Sequence, residues 1–330
     1  MRSLTWTPPR TCARPASTKL CAHLASAAAA LLAGAAILAG TAATAADPLP
    51  VTEVAPGVYV HQGAHEEPTR DNLGGYANIG FVVGRDAVAV IDSGGSAAQG
   101  RALREAIRRV TSLPIAYVII THGHPDHMLG TAAFEAERPK VLGHASLPAA
   151  MAARGPFYLD FLKGVLGEGL AGTRLVTPSE TVAESLTLDL GERPLLLTAH
   201  PTAHTDNDLT VLDEATGTLW AGDLVFMERL PIVDGSLKGW LKVLETLRRV
   251  EAVRVVPGHG PPSAPWPAAL DAQQRYLESL LSETRAIIAE GGRIEDAVEQ
   301  VGRTASQDWL LFEDNHPRNI VTVFTELEWE

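Results

Sequence analysis

Residues Ile115 to His127 read IAYVIITHGHPDH. Ile115 to Ile120 is a short apolar run rich in β-branched residues, the pattern of a strand buried on both faces. Thr121, His122, Gly123, His124, Pro125, Asp126 and His127 follow directly. Three imidazoles and a carboxylate therefore leave a core strand within one turn. A buried strand ending in a tight loop of histidine and aspartate is a way for an α/β sheet to present a metal at its edge. If these side chains met only backbone carbonyls, several desolvated polar groups would be crowded together without partners.

Upstream, Ala87 to Ile91 (AVAVI) is a second short strand, ending in Asp92-Ser93-Gly94-Gly95. Ser96 is placed to cap a helix whose apolar stripe is Ala102, Leu103, Ala106, Ile107 and Val110. Pro114 then leads into the Ile115 strand, giving a strand–helix–strand unit that feeds the histidine loop. Val51 to Val60 and Ala77 to Val83 read as opening strands. The segment between them, HQGAHEEPTRDNLGG, is a loop by composition. Its His61 and His65 are expected to be solvated, with the loop facing a substrate.

Downstream, Met128 to Ala136 reads as a helix, Val141 to Gly143 as a strand ending at His144, and Leu147 to Leu170 as a helix carrying Phe157, Leu159, Phe161, Leu162 and Leu166. Val176 to Thr198 alternates as antiparallel strands do. His200 and His204 come next. A hairpin over Leu209–Leu212 and Thr218–Ala221 ends in Gly222-Asp223. Ser236 caps a helix with Trp240, Leu241, Leu244 and Leu247. Val253 to Val256 is a strand ending in Pro257-Gly258-His259-Gly260. Pro267 opens a long helix, and Asn315 to Glu330 forms a terminal one.

Polar residues thus emerge from strand ends at four places: the His122–His127 loop, His204, Asp223 and His259. This set suits two Zn²⁺ ions per chain, since neutral imidazoles and carboxylates are zinc ligands and paired metals share a bridging oxygen. His122, His124 and His204 are assigned to the first ion. Asp126, His127 and His259 are assigned to the second, and Asp223 bridges both. Asp126 is also the candidate catalytic residue, orienting a metal-bridging hydroxide. His144 is expected behind the ligands and His200 in an outer loop, with the His61 to Gly75 loop and Phe226 to Asp234 (FMERLPIVD) as the expected walls of the site.

Composition narrows the class. Arg2, Arg10, Arg14 and Lys19 form a basic leader without acidic residues; an Ala/Leu-rich stretch and the small residues Thr41 to Ala46 follow. Residues 1–46 read as a signal peptide and imply a periplasmic or secreted protein, with no membrane attachment after cleavage. Both cysteines, Cys12 and Cys21, lie within it, so the mature chain has no disulfide, thiolate ligand or cysteine nucleophile. Losing the leader's four positive charges takes the net charge from −12 to −16. That acidity argues against nucleic acid as a partner and leaves a small molecule as the expected one. Oligomeric state is not legible. Residues 47–265 are expected to form the hydrolase domain and 266–330 a helical extension packed on it.

The ordered set HxHxDH, His, Asp, His resembles the metallo-β-lactamase-fold superfamily, with the resemblance running from about Val51 to Pro262. It implies a four-layer αββα sandwich within the α/β class, and a structural, non-ligating role for Asp92. The His124 position is not Glu, unlike the di-iron flavoprotein branch. Asp223 stands where many true β-lactamases carry Cys or Ser, which favours the hydroxyacylglutathione hydrolase type of site. The stretches VAPGVYVHQGAHEE, ANIGFVVG, AVIDSGG, HTDNDLTV and NHPRNIVTVFTELEWE are similar to the exported quinoprotein relay system zinc metallohydrolases. That resemblance implies a link to sulfur or quinoprotein metabolism. The expected function is zinc-dependent hydrolysis of a small anionic ester or thioester. The rival readings are a β-lactamase, a mononuclear iron sulfur dioxygenase, and a module that keeps the site for binding alone.

Overall fold

Two β-sheets are set face to face in a computed structural model that describes residues 46–330. The expected signal peptide, residues 1–46, lies outside the described residues apart from Ala46. The first sheet holds β1 (Thr52–Ala55), β2 (Val58–His61), β3 (Ile79–Val83), β4 (Val88–Ile91), β5 (Ile115–Ile119), β6 (Lys140–His144) and β7 (Glu180–Val182), hydrogen-bonded in chain order. β1 to β4 are antiparallel, and β4 to β7 are parallel. Parallel neighbours require crossovers. One is α1 (Ala97–Val110), whose first turn is capped by the Ser96 hydroxyl accepting from Gln99 N–H. Between β5 and β6 the expected single helix divides into α2 (Pro125–Met128) and 3₁₀ turns over Leu129–Glu137. Bonds from Gly130 N to Gly94 O and from Thr131 Oγ1 to Met128 O tie this segment to the loop after β4 and to itself. α3 (Leu147–Leu166) crosses to β7.

The second sheet contains β8 (Ser185–Asp189), β9 (Pro194–Ala199), β10 (Leu209–Asp213), β11 (Thr218–Phe226), β12 (Arg254–His259) and β13 (Ala264–Pro265). Its one parallel pair, β11 with β12, is joined through α4 (Leu237–Leu247). Then come α5 (Asp271–Ala289), α6 (Ile294–Gln300) and α7 (Phe312–Leu327). The inner faces meet through Val60, Val82, Ile91 and Ile119 on one side and Leu197, Val211, Trp220 and Val256 on the other. Leu103 and Ile107 of α1 and Leu162 of α3 cover the outer face of the first sheet. Trp240 and Leu244 of α4, Leu277 of α5 and Ile320 of α7 cover the second. Four layers, αββα, follow from these three apolar interfaces. Each large side chain so buried contributes about 1.5–3 kcal/mol. The helices beyond Pro265 share their core with β11 and α4. Among the described residues no helix is long and apolar enough to cross a membrane.

One strand departs from the sequence reading in a way that builds the site. β11 does not stop at Ala221 but continues through Gly222 and Asp223 to Phe226. Its register against β12 shifts on both sides of Gly222, so the strand bulges there. Gly222 has φ +50°, and a Cβ on it would lie 2.6 Å from Thr121 Oγ1. A glycine is therefore required where β11 passes the histidine loop. On the neighbouring strand, a Cβ on Gly258 would lie 1.9 Å from Asp223 Oδ1. The bulge turns Asp223 out of the ladder, and the bare Gly258 gives its carboxylate room. Gly222→Ala is expected to destabilise the fold by about 1–3 kcal/mol through its left-handed backbone and the Thr121 collision. A matching fall in the denaturant midpoint, at unchanged slope, checks it.

Candidate metal centre

All seven side chains singled out in the sequence converge at one end of the paired sheets. His122, His124, His204 and Asp223 bring ligand atoms within 4.8 Å of one another, and so do Asp126, His127 and His259. Asp223 lies between the groups: Oδ2 is 3.6 Å from His122 Nε2, 3.4 Å from His204 Nε2 and 3.3 Å from His259 Nε2. Its Oδ1 is 3.1 Å from His127 Nε2. Asp126 Oδ2 lies 3.6 Å from His127 Nε2 and 3.5 Å from His259 Nε2. Six of the seven residues are almost fully buried, and His124 is partly exposed.

Each imidazole is oriented from behind. The His122 Nδ1–H donates to Thr121 Oγ1 at 3.1 Å, because that hydroxyl is itself committed as a donor to Asp92 Oδ2. His127 Nδ1–H donates to Asp92 Oδ2 at 2.7 Å. His204 Nδ1–H donates to Ile232 O at 2.7 Å, and His259 Nδ1–H to Tyr76 O at 3.1 Å. His124 is reversed: its Nε2–H donates to Asp234 Oδ2 at 3.1 Å. Carbonyls and carboxylates only accept, so these partners fix every tautomer. The remaining nitrogens, Nδ1 of His124 and Nε2 of the other four, present lone pairs to the interior, as metal-ligating histidines do.

The interior is consequently a cluster of acceptors. His204 Nε2 and His124 Nδ1 face each other at 3.1 Å with no hydrogen between them. His122 Nε2, His127 Nε2, Asp126 Oδ2 and Asp223 Oδ1 are buried without a hydrogen-bond partner. Burial pushes His204 down to about 3, and burial together with the charge on His127 holds His122 well below the usual histidine range. Both are neutral at physiological pH, the form that binds metal. Burial opposes charge on His127 as well, but the carboxylates of Asp223, Asp126 and Asp92 overcome it and hold its pKa well above the ordinary value, so its Nε2 lone pair takes a proton wherever it does not take a metal cation. The pocket thus pulls positive charge inward. Lone pairs, carboxylates and unpartnered atoms fit two divalent cations.

Asp92 supports the loop rather than entering it. Its Oδ1 accepts from Thr121 N–H at 2.8 Å while Oδ2 serves Thr121 Oγ1 and His127. It has φ +55°, unusual for a residue other than glycine. His144 and His200 flank a separate groove and touch none of the seven, so His144 does not stand behind the ligands. His61 bonds Pro50 O and His65 bonds Glu228, both outside the cluster.

A cleft of about 330 Å³ opens onto the centre, reaching His124, Asp126, Asp223 and His259. The loop after β2 contributes Glu67 and Pro68 to its wall, with Tyr76 just beyond; Phe226, Arg229 and Ile232 form a second wall, as the sequence suggested. Two further walls were not read from sequence. Phe157, Tyr158 and Phe161 of α3 make one, and Asn315 and Arg318 of α7 the other. Phe157 and Phe161 are 69% and 50% exposed, so part of the apolar content of α3 faces this opening and not a core. Aromatics spaced i, i+4 on a helix that is apolar around much of its circumference were the available signal.

The family model described as the metallo-beta-lactamase superfamily matches residues 73–259. No curated protein sequence matches the chain. Among solved structures, TMB-1 is 19% identical, with a TM-score of 0.55 over 70% of this chain and 97% of its own. The metallo-beta-lactamase from Pontibacter korlensis is 21% identical, with a TM-score of 0.55 over 70% and 99%. The inverting sec-alkylsulfatase Pisa1 from Pseudomonas sp. is 16% identical, with a TM-score of 0.65 over 84% of this chain and 50% of its own. At these identities the likeness is one of fold.

Asn tolerates the left-handed backbone of position 92 but offers one acceptor oxygen where Asp offers two. Asp92→Asn is therefore expected to leave the far-ultraviolet circular dichroism unchanged. Metal affinity should fall by about 10–100-fold, read by chelator competition.

Proposed function

This chain belongs to the metallo-beta-lactamase superfamily, and from that premise we propose that it is an exported two-zinc hydrolase of small anionic esters or thioesters. The observation that carries the proposal is the acceptor-only interior, in which Asp223 lies between two groups of ligands and touches both. His122, His124 and His204 would hold one zinc, Asp126, His127 and His259 the other, and Asp223 would link them. Two zinc ions bound there would bring the pKa of water close to neutrality and draw charge from a carbonyl.

The chain's own groups then do the rest. Asp126 reaches the cleft floor, and its carboxylate accepts a hydrogen bond from the attacking water, fixing the lone pair that meets the acyl carbon. Burial of six of the seven residues keeps bulk water from their inner atoms, which strengthens charge interactions at the centre. Phe157 and Phe161 give the apolar arm of a substrate a surface to cover. The half-exposed Arg318 guanidinium stands at the same cleft and favours an anionic group. Arg229 serves the wall itself: it bonds Glu66 O and Glu67 and lies 4.8 Å over the Tyr76 ring.

A periplasmic or secreted location, and kinship with the quinoprotein relay metallohydrolases and their sulfur or quinoprotein context, belong to the same proposal. The leader in residues 1–46 and the motifs quoted above support them. Asp223, in place of a cysteine or serine, favours acyl esters over β-lactams.

The test is a panel of anionic esters, thioesters, lactones and a chromogenic β-lactam on the zinc-loaded protein. About two zinc per chain by metal analysis and turnover of an ester or thioester are expected. Chelation should abolish that turnover, and added zinc should restore it. Turnover of the β-lactam alone, or no acyl hydrolysis with two zinc bound, would overturn the proposal.

A further inference from the structure

The terminal helix α7 begins at Phe312, far beyond residue 259 where the family match ends. Its polar side chains nevertheless reach toward the metal centre. Arg318 Nη2 donates to Asp234 Oδ1 at 2.8 Å, and Asp234 Oδ2 is the acceptor for His124 Nε2–H. Arg154 of α3 pairs with the same carboxylate. Asn319, fully buried, accepts from Val233 N–H at 2.9 Å and donates to Pro231 O at 2.7 Å. The residue between those two, Ile232, supplies the carbonyl that orients His204. Glu326 accepts from Ser236 Oγ and Leu237 N–H, both at 2.7 Å, at the far end of the same segment.

Pro231 to Leu237 is thus fastened to α7 at three points along one side. On its other side it meets the His204 loop, through Asp234 N–H to His204 O at 3.2 Å and Ser236 N–H to Ala203 O at 2.9 Å. Asn319 is itself fixed. Its amide also donates to Tyr276 OH at 3.1 Å, and that hydroxyl bonds His316 Nδ1 at 2.9 Å. His316 Nε2–H donates to Val301 O, so the whole chain of bonds is directional and complete.

The second group of ligands is supported elsewhere. His127 depends on Asp92, and His259 on Tyr76 O, with no partner in α7. Resting on the two-metal reading above, we infer that α7 is the outer support of one metal position only: Arg318 and Asn319 are positioning residues for His124 and His204. Asp92 stands behind both positions, through Thr121 for His122 and directly for His127, whereas α7 braces only the first, which can therefore be loosened from that side alone.

Cobalt titration of the full chain, with chelator competition and the visible Co²⁺ spectrum as readouts, tests this. His204→Ala and His259→Ala provide reference spectra for loss of the first and second position. Arg318→Gln changes a half-exposed side chain and should fold; Asn319→Ala removes the buried clamp. Each is expected to weaken one cobalt equivalent by about tenfold or more, as loss of an outer partner does. The altered equivalent should match the His204→Ala reference, with the other unchanged, and Arg318→Lys should restore binding in part. Equal weakening of both equivalents, or wild-type affinity for both in Arg318→Gln and in any folded Asn319→Ala, would refute the inference while leaving the two-metal reading intact. A wild-type chain that takes up fewer than two cobalt ions would refute that reading itself, and the inference with it.

Discussion

Five imidazole lone pairs and two carboxylates are held face to face in a buried volume, and every N–H that could have separated them is spent on a partner behind. Buried acceptors that see only one another are costly without compensating charge. The fold sustains this arrangement because its ligands are delivered by rigid elements. β5 carries the histidine loop, β11 and β12 run side by side beneath Asp223 and His259, and β9 leads to His204. Three apolar interfaces hold those elements in place.

Local backbone is adapted to the same end. Asp92 takes a left-handed conformation that lets one carboxylate bind Thr121 twice and His127 once. Gly222 bulges β11 against Thr121, and Gly258 leaves room for the Asp223 carboxylate. Irregular positions of this kind cost stability, and they persist where the surrounding structure over-determines them.

The histidine loop was legible in the sequence because its ligands are contiguous and follow an unmistakable buried strand. His204, Asp223 and His259 were legible as polar residues after apolar runs. The mechanism that presents Asp223 was not: the hairpin reading ended its second strand at Ala221, before Gly222, and the bulge that continues it depends on contacts with Thr121 and β12. Asp234 was readable as part of a wall, but its pairing with His124 joins residues 110 positions apart. Arg318 and Asn319 left no local trace, since a polar residue on a terminal helix looks the same whether it meets water or a distant loop. Phe157 and Phe161 were counted as apolar positions of a helix, and periodicity does not distinguish a core from the mouth of a cleft.

The division of the ligands along the chain has a further consequence. His122, His124, Asp126 and His127 come from the first sheet's half of the chain; His204, Asp223 and His259 come from the second. Cations bound there would act as non-covalent cross-links between segments 80 or more residues apart. Such links restrict the unfolded chain much as any long loop closure does. The full ligand set exists only with both sheets docked, so bound metal would favour the folded chain, and metal concentration would be a lever on the balance between folded and unfolded chains.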